Sequence, residues 1–234
     1  MNISQDTISV LKNFSTINLS LIIREGNKLK TISPGKDIFS ECTVAEEFPQ
    51  EFGIYDLSKF LAAISMFKDP TFDFKDTHVV ISSKGSRSNL KYYFSDAKQL
   101  FDNNKTMNMP SSVVSFRLEA KDLLELQKAS AVLACPDIEI VRNDNRLLLR
   151  VLDRKDSTGN TYSIDVGECD TDADFRFLFK VETLRLLPGT YDVRISDKLV
   201  SEFRSEDGNR VYWISVEADS TYKAGKKKAY AAIS

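Results

Sequence analysis

Catalytic chemistry is sparse in this sequence. Among 234 residues there is one histidine, His78, so a serine or cysteine triad would have to use it. It falls in a predicted strand beside Asp76 and Thr77, where a histidine is more often solvated or packed than catalytic. Glycine loops of the GxGxxG and GxxxxGKS/T types are absent, which argues against nucleotide hydrolysis. An enzyme acting through His78 is therefore the least favoured interpretation.

Cysteines and long apolar runs are also scarce. Cys42, Cys135 and Cys169 are far apart and form no CxxC pair, which favours reduced thiols over a disulfide framework or a zinc site. The longest apolar stretch, residues 60–67, is much shorter than a membrane span. The start of the chain lacks a basic and apolar leader. We therefore expect a cytosolic protein with no cofactor and no membrane partner.

One acidic cluster resembles the beginning of a calcium-binding loop. Asp170, Asp172 and Asp174 alternate along the chain, so their carboxylates could surround one ion. The remainder of such a loop is missing, because Phe175 stands where a glycine must turn the chain and Val181 where a bidentate glutamate belongs. A solvated acidic loop is the favoured interpretation, and no metal is expected.

The net charge of −2 argues against a simple nucleic-acid binder, but the charge is unevenly distributed. Lys223 and the lysines at 226–228 give the last twelve residues four positive charges and no negative one. Subtracting these four from −2 leaves −6 for residues 1–222. The four helices predicted below carry a net charge of about +1, which leaves about −7 for the rest of residues 1–222. The sheets and loops are therefore expected to be acidic, and the helices are not.

The first element is a predicted amphipathic helix over residues 6–18, which Ser4 or Asp6 can cap. At about 100° per residue its apolar and polar side chains fall on opposite faces. The apolar face contains Val10, Leu11, Phe14 and Ile17. The polar face contains Gln5, Ser9, Lys12 and Thr16. This geometry exposes Lys12.

Three further short helices are predicted at 57–67, 120–133 and 181–187. The second places Lys59 opposite an apolar face of Leu57, Phe60, Leu61, Ile64 and Phe67. The third places Lys121, Glu125 and Lys128 outward, and Leu123, Leu124, Leu126 and Gln127 inward. On the fourth, Arg185 lies opposite Leu187, and Pro188-Gly189 ends the helix.

Short alternating runs separated by turn residues predict antiparallel strands between these helices. The order strand, helix, four strands, helix, three strands occurs twice, which predicts an α+β protein of two similar domains, each with two helices packed on antiparallel sheet. The domains are expected at 1–103 and 114–221. Residues 104–113 lack periodicity and form the predicted connector, and 222–234 form a basic, flexible tail.

Each predicted helix offers a basic group on the side away from the sheet. A single lysine of this kind is usually a solubility residue, but its recurrence in a duplicated architecture is better evidence for a function. If copies of the repeat closed into a ring with the helices inward, these cations would line a hole. Weak, sequence-independent contacts with a nucleic-acid backbone would suffice there, because a closed ring holds the duplex by topology.

The sequence resembles the sliding clamps, or DNA polymerase processivity factors, of T4-type bacteriophages, from Met1 to about Thr221. The most specific pieces are Asp6-Thr7, Leu11-Lys12-Asn13-Phe14, Thr16-Ile17-Asn18, Ile54-Tyr55-Asp56-Leu57, Phe60-Leu61, Asp122-Leu123, Ser130, Pro188-Gly189, Tyr191 and Glu217-Ala218-Asp219-Ser220-Thr221. Several such pieces in the right order are hard to obtain by chance.

This resemblance implies the DNA-clamp fold and a homotrimeric ring of six domains around duplex DNA. It implies no catalytic activity and several partners: the replicative DNA polymerase, an ATP-driven clamp loader, and a sigma-like factor and co-activator of late transcription. The implied location is the cytoplasm of the infected bacterial host. A protein-docking module that forms no ring and threads no DNA is the alternative.

Site residues are carried over by position. Lys12, Lys128 and Arg185 match basic hole-facing residues of the family, whereas Lys59 and Lys121 are added from helical geometry alone. Gln5 and Ala131 stand where the T4 clamp is basic, so the inner charge is expected to be weaker. Partners in the family insert a hydrophobic peptide beside the connector. The pocket residues expected here are Met107, Met109, Val113 and Val216.

Overall fold

The computed structural model describes residues 1–102 and 104–225. Of the tail that the sequence predicts at 222–234, residues 226–234 lie outside the described part. The chain folds into two compact units. The first unit comprises Met1–Met107, Arg185–Leu187 and Asp207–Trp213. The second comprises Asn108–Leu184, Pro188–Glu206 and, among the described residues, 214–225.

The first unit is built mainly from the first half of the chain. Its elements are α1 (Gln5–Ile17), β1 (Leu21–Ile23), β2 (Gly26–Ile32), β3 (Ile38–Phe48), β4 (Phe52–Ile54), α2 (Leu57–Ser65), β5 (Pro70–Phe74), β6 (His78–Ser83) and β7 (Asn89–Tyr93). β2 and β3 form an antiparallel hairpin, β1 pairs with β4, and β5, β6 and β7 form a three-stranded sheet in that order.

The second unit repeats this plan. Its elements are β8 (Val114–Leu118), α3 (Ala120–Leu133), β9 (Asp137–Asn143), β10 (Arg146–Leu152), β11 (Tyr162–Glu168), β12 (Asp174–Lys180), β13 (Tyr191–Ile195), β14 (Val200–Ser205), the end of β15 (Arg210–Ser215) and β16 (Thr221–Lys223). One sheet has the order β11-β10-β9-β12-β16, and β13 pairs with both β8 and β14. The first unit has the predicted order of helix, four strands, helix and three strands. The second unit has the helix and the four strands, but one helix in place of the predicted two, because a 3₁₀ turn at Val181–Thr183 replaces the second.

Each unit has its own apolar core, because the alternating strands and the helices turn one face inward. In the first unit the largest fully buried side chains include Leu11, Phe14, Phe48 and Phe60. In the second unit they include Phe177, Phe179 and Tyr191. The helices are therefore held by tertiary packing, which fixes which of their faces remains exposed.

The fourth predicted helix, over residues 181–187, is wrong beyond its first turn. A short 3₁₀ turn at Val181–Thr183 takes its place, and Leu184 leaves the helical region with ψ of 56°. Leu184 and Leu186 are buried on either side of exposed Arg185, which is the alternation of an extended segment. Pro188 also disfavours a helical conformation for the residue before it.

Two helix faces also differ from expectation. Leu124, predicted to face inward, is 55% exposed. It lies roughly 130° from the centre of the stripe made by Leu123 and Leu126, which are 2% and 1% exposed. α2 ends at Ser65, so Phe67 follows the helix and is only half-buried.

Candidate nucleic-acid-facing surface

Helix α1 presents Lys12 as its sequence predicts. Its apolar residues Val10, Leu11, Phe14 and Ile17 are all buried, and Gln5, Ser9, Lys12 and Thr16 are all exposed. Ser4 is the N-cap, and its hydroxyl accepts a hydrogen bond of 3.2 Å from the Thr7 amide. The exposed side of the helix therefore carries one basic side chain, Lys12, and one acidic one, Asp6, in the first turn.

Glu46 anchors the start of α1. Its carboxylate accepts hydrogen bonds from the Ser4 amide, at 2.5 Å, and from the Thr7 hydroxyl. Burial alone would raise the pKa of Glu46, but these hydrogen bonds outweigh that effect and hold the pKa below its ordinary value. A negative charge at this position also interacts favourably with the positive end of the helix dipole.

Arg185 lies against the other end of the same helix. The side-chain amide of Asn13 donates a hydrogen bond of 2.8 Å to the Arg185 carbonyl, and the Arg185 guanidinium donates to the Thr16 carbonyl. A cation among the last carbonyls of a helix interacts favourably with the dipole. Lys12 and Arg185, which are far apart in sequence, are therefore attached to one helix of the first unit.

Lys59 is exposed on α2, which packs beside α1 in the first unit. Its ammonium lies 3.4 Å from the carboxylate of Asp56, the N-cap of α2. The Lys59 amide donates to that carboxylate at 3.0 Å, and this hydrogen bond lowers the pKa of Asp56. Part of the Lys59 charge is thus compensated locally, although an exposed ion pair of this kind is weak.

Helix α3 of the second unit carries two cations. Lys121 and Lys128 are both exposed, and seven residues of helix place them roughly 20° apart and ~10 Å apart along the axis. Glu125 lies between them and accepts a hydrogen bond of 3.1 Å from the Tyr162 hydroxyl. That hydrogen bond raises the pKa of Tyr162. The pair of lysines is therefore interrupted by one carboxylate.

The predicted pocket residues occupy mixed environments. Met107, Met109 and Val113 are half-buried, and Val216 is buried. The Val113 amide donates to the Ile195 carbonyl at 2.8 Å, and the Val216 amide donates to the Leu199 carbonyl at 2.9 Å. Val113 and Val216 therefore both bind the ends of the turn between β13 and β14. Their role as a pocket stays a prediction.

The residues considered for catalysis have no catalytic arrangement. The His78 ring packs 5.3 Å from the Tyr93 ring, and its Nδ1 lies 3.3 Å from the Thr77 hydroxyl. Cys42 lines a cavity of about 370 Å³ in the first unit, where burial raises the pKa of its thiol to about 11. A thiol of this kind is protonated at neutral pH and is a poor nucleophile.

The described residues contain neither a metal-binding cluster nor a membrane-spanning helix. Within 1–102 and 104–225, no group of three or more histidine, cysteine or acidic side chains is arranged to hold a metal ion. None of the helices in this part of the chain combines the length and apolarity of a membrane span.

The sequence predicted no role for the side chains of Asn13 and Tyr212. Asparagine is unfavourable in the interior of a helix unless its side chain has a specific hydrogen-bond partner. The presence of Asn13 beside Lys12 in α1 is therefore a weak sequence indication of such a partner. Tyr212 lies in a strand, where a tyrosine is common, and it is only 1% exposed. Its contact with α1 spans 199 residues of sequence.

The fold is shared with solved DNA clamps. The Helicobacter pylori β clamp, solved bound to a DNA ligase peptide, superposes with a TM-score of 0.68 and 12% identity, covering 92% of this chain and 64% of that one. An identity this low supports only the fold. The architecture described above is thus a clamp fold.

Sequence comparisons identify the family. Residues 4–101 match the family described as DNA polymerase processivity factor, and residues 115–218 match gp45 sliding clamp, C terminal. The sliding clamp of Vibrio phage KVP40 is 31% identical over 224 residues, covering 93% of this chain and 100% of that protein. The sliding clamp of Escherichia phage RB69 is 27% identical over 228 residues, covering 95% and 99%. The chain belongs to the sliding clamps of T4-type bacteriophages.

Proposed function

We propose that this chain encircles duplex DNA as a homotrimeric ring and tethers the replicative DNA polymerase. The observation that carries the proposal is the placement of exposed cations in a chain of this family. Lys12, Lys59, Lys121 and Lys128 are exposed on helices, and Arg185 is exposed beside α1. We assign these five residues to the surface that faces DNA.

Few strong contacts are required for this function. Each neutralised phosphate of duplex DNA contributes about −0.9 to the slope of log affinity against log salt concentration. Five partly compensated cations therefore give modest, salt-sensitive affinity and no sequence preference. Enclosure by the ring keeps the DNA bound, and the cations centre it.

Open sheet edges support assembly into a ring. In the three-stranded sheet of the first unit, Met1 and Asn2 cover the edge of β5, which leaves β7 as the open edge. In the five-stranded sheet of the second unit, β16 has three residues, whereas β11 at the other edge has seven. Pairing β7 of one copy with β11 of the next would join different surfaces, and such heterologous contacts close into rings.

The charges beside these two edges are opposite. Residues 77–95, which include the β6–β7 hairpin, contain no acidic residue. Lys84, Arg87 and Lys91 are exposed there and have no side-chain partner among the described residues. The chain leaving β11 exposes Glu168, Asp170 and Asp172. Antiparallel pairing would bring the basic hairpin of one copy to the acidic segment of its neighbour.

The remaining partners follow from the family and the fold. A neighbour of the same fold was solved with a peptide, which supports a peptide site for polymerase on this chain as well. We assign that site to Met107, Met109, Val113 and Val216, where alanine substitutions should lower affinity for a polymerase C-terminal peptide. We further propose loading by an ATP-driven clamp loader, a non-enzymatic role with a sigma-like factor and co-activator in late transcription, and a location in the infected host's cytoplasm.

The central test reverses three charges at once. Replacing Lys12, Lys128 and Arg185 by glutamate should lower loading on circular DNA and polymerase processivity, and should reduce the salt slope of duplex binding by up to about 2.7. The matched control reverses Lys36, Lys98 and Lys155, which are also exposed but lie outside helices α1, α2 and α3. Equal loading, slope and processivity in the two triple variants would refute the assignment.

Mass in solution separates the ring from the protein-docking alternative. We expect a trimer by sedimentation or native mass spectrometry, and retention on circular DNA that is lost when the circle is cut. A monomer at every concentration would refute the ring. Equal retention on linear and circular DNA would refute threading.

A further inference from the structure

We propose that Asn13 and Tyr212 are positioning residues that hold Arg185 on the DNA-facing side of α1. This inference rests on the proposed function, because it concerns the direction of one of the cations assigned to DNA. All the groups involved belong to the first unit: helix α1, the segment Arg185–Leu187, and Tyr212 of β15 in the segment Asp207–Trp213.

Four hydrogen bonds connect these three pieces. Asn13 donates from its amide nitrogen to the Arg185 carbonyl at 2.8 Å and accepts at its amide oxygen from the Tyr212 hydroxyl at 2.8 Å. The same hydroxyl accepts from the Leu187 amide at 3.3 Å. The Arg185 guanidinium donates to the Thr16 carbonyl. The segment is therefore attached to α1 directly at Arg185 and, through the Tyr212 hydroxyl, at Leu187.

The segment needs such attachment because it is not part of a helix. Regular structure ends at Thr183, and β13 does not begin until Tyr191. Leu186 is 7% exposed, and its burial fixes the segment to the core. The direction of the neighbouring Arg185 side chain still depends on the local backbone conformation. The Asn13 amide donates to the Arg185 carbonyl, so it fixes the backbone position from which the Arg185 side chain extends.

Asn13 and Tyr212 are chemically suited to this task. An asparagine amide offers a donor and an acceptor a fixed distance apart, and here it uses both. A tyrosine hydroxyl can donate and accept at once, and Tyr212 does so from a ring that is 1% exposed. Because the ring is locked by packing, the hydroxyl is an immobile reference point for both α1 and the segment.

Pre-organisation explains why this arrangement would matter for DNA. An arginine held in its binding direction loses less conformational entropy on meeting a phosphate than a freely rotating one. Loosening the segment would therefore remove part of the Arg185 contact without removing the cation. A role limited to stability would lower the melting temperature and leave the phosphate contact unchanged.

The experiment measures duplex binding by the full-length chain as a function of sodium chloride, using fluorescence anisotropy of a labelled 30-base-pair duplex. The variants are Arg185→Ala, Asn13→Ala, Tyr212→Phe and the double variant of Asn13→Ala with Arg185→Ala. Ser9→Ala is the matched control, because its hydroxyl is on the exposed face of α1 and, among the described residues, donates to the Gln5 carbonyl alone, at 2.8 Å. Thermal unfolding of each variant is recorded in parallel.

Arg185→Ala should reduce the salt slope by about 0.9, the value for one lost phosphate contact. Asn13→Ala and Tyr212→Phe should each reduce it by about half that amount or more, and the double variant should resemble Arg185→Ala alone, because both substitutions act on one contact. Ser9→Ala should keep the wild-type slope.

The contrary results are distinguishable. A normal slope in Arg185→Ala would remove Arg185 from the DNA-facing surface and so contradict the proposed function at this residue. A reduced slope in Arg185→Ala with normal slopes in both Asn13→Ala and Tyr212→Phe would overturn the positioning role alone. Lower melting temperatures with normal slopes in these two variants would assign the network to stability.

Discussion

Helices α1 and α3 occupy equivalent places in the repeat but are fixed in different ways. α1 is tied at its start by Ser4 and Glu46 and at its end by Arg185. The N-cap of α3, Glu119, makes no side-chain cap hydrogen bond. The C-cap of α3, Ala134, adopts a left-handed conformation with φ of 53°, which is unfavourable for alanine.

The two helices also differ in charge and in burial. α1 exposes one lysine and buries its whole apolar face, whereas α3 exposes two lysines and leaves Leu124 and Val132 55% and 74% exposed. The better-anchored helix therefore carries fewer cations of its own and acquires Arg185 from a distant segment. A repeat can thus keep one architecture while supplying its basic groups by helix sequence in one copy and by tertiary contacts in the other.

The largest expected difference between the two helices is in packing. Phe14→Ala in α1 removes a side chain that is 0% exposed, and should lower the free energy of unfolding by about 3–5 kcal/mol. Leu124→Ala in α3 removes a mostly exposed side chain, and should change it by less than about 0.5 kcal/mol. Urea unfolding at one protein concentration measures both. Similar losses in the two variants would show that the Leu124 side chain is packed as fully as that of Phe14.

Sequence periodicity predicted α1 almost completely, because its apolar residues recur at helical spacing and its N-cap is a serine. The same reasoning placed Lys12, Lys59, Lys121 and Lys128 on exposed positions. The same reasoning was less successful for Leu124, because several neighbouring leucines in one helix do not show which of them is exposed. Local patterns therefore predict exposure well when apolar residues are few and regularly spaced.

Residues 181–187 show where local patterns are insufficient. Seven residues make fewer than two helical turns, which is too short to define an apolar face. The same sequence is equally compatible with an extended segment in which Leu184 and Leu186 are buried and Arg185 is exposed. The attachment of Arg185 to α1 depends on Asn13 and on Tyr212, 199 residues further along the chain. No local pattern indicates a hydrogen bond between residues so far apart in sequence. The sequence therefore predicted the exposure of Arg185 but not the residues that hold it in place.

A smaller effect is expected at the start of the helices. Glu46→Gln should reduce stability at pH 7 by about 1 kcal/mol, a value for hydrogen bonds to a charged group discounted for partial exposure. The pKa of Glu46 is lowered in the folded protein, so its contribution is present above the ordinary glutamate pKa of about 4.3 and is lost as pH falls through the folded value. The gap between wild type and Glu46→Gln should therefore close in acid.

The matched control at α3 is Glu119→Gln. Glu119 precedes α3 but makes no side-chain cap hydrogen bond, and its carboxylate lies 3.3 Å from the exposed Arg117 guanidinium. An exposed ion pair of this kind contributes little, so Glu119→Gln should lower the free energy of unfolding at pH 7 by less than about 0.5 kcal/mol. Denaturant titrations from pH 7 to pH 3 measure both variants. A gap for Glu46→Gln that widens in acid would contradict the lowered pKa, and a matching gap for Glu119→Gln would remove the contrast between the two helix starts.

The smallest expected effect concerns the carboxylate between the two lysines of α3. Glu125→Gln removes a negative charge one helical turn from both Lys121 and Lys128, and should strengthen duplex binding about twofold at low salt. It should also return the pKa of Tyr162 towards its ordinary value, because the Glu125 carboxylate is the main cause of its increase. Ultraviolet titration of the tyrosines reports the second effect independently of DNA. A shifted Tyr162 titration with unchanged duplex binding would show that Glu125 lies outside the proposed DNA-facing surface, and the proposal would then rest mainly on α1 and Arg185.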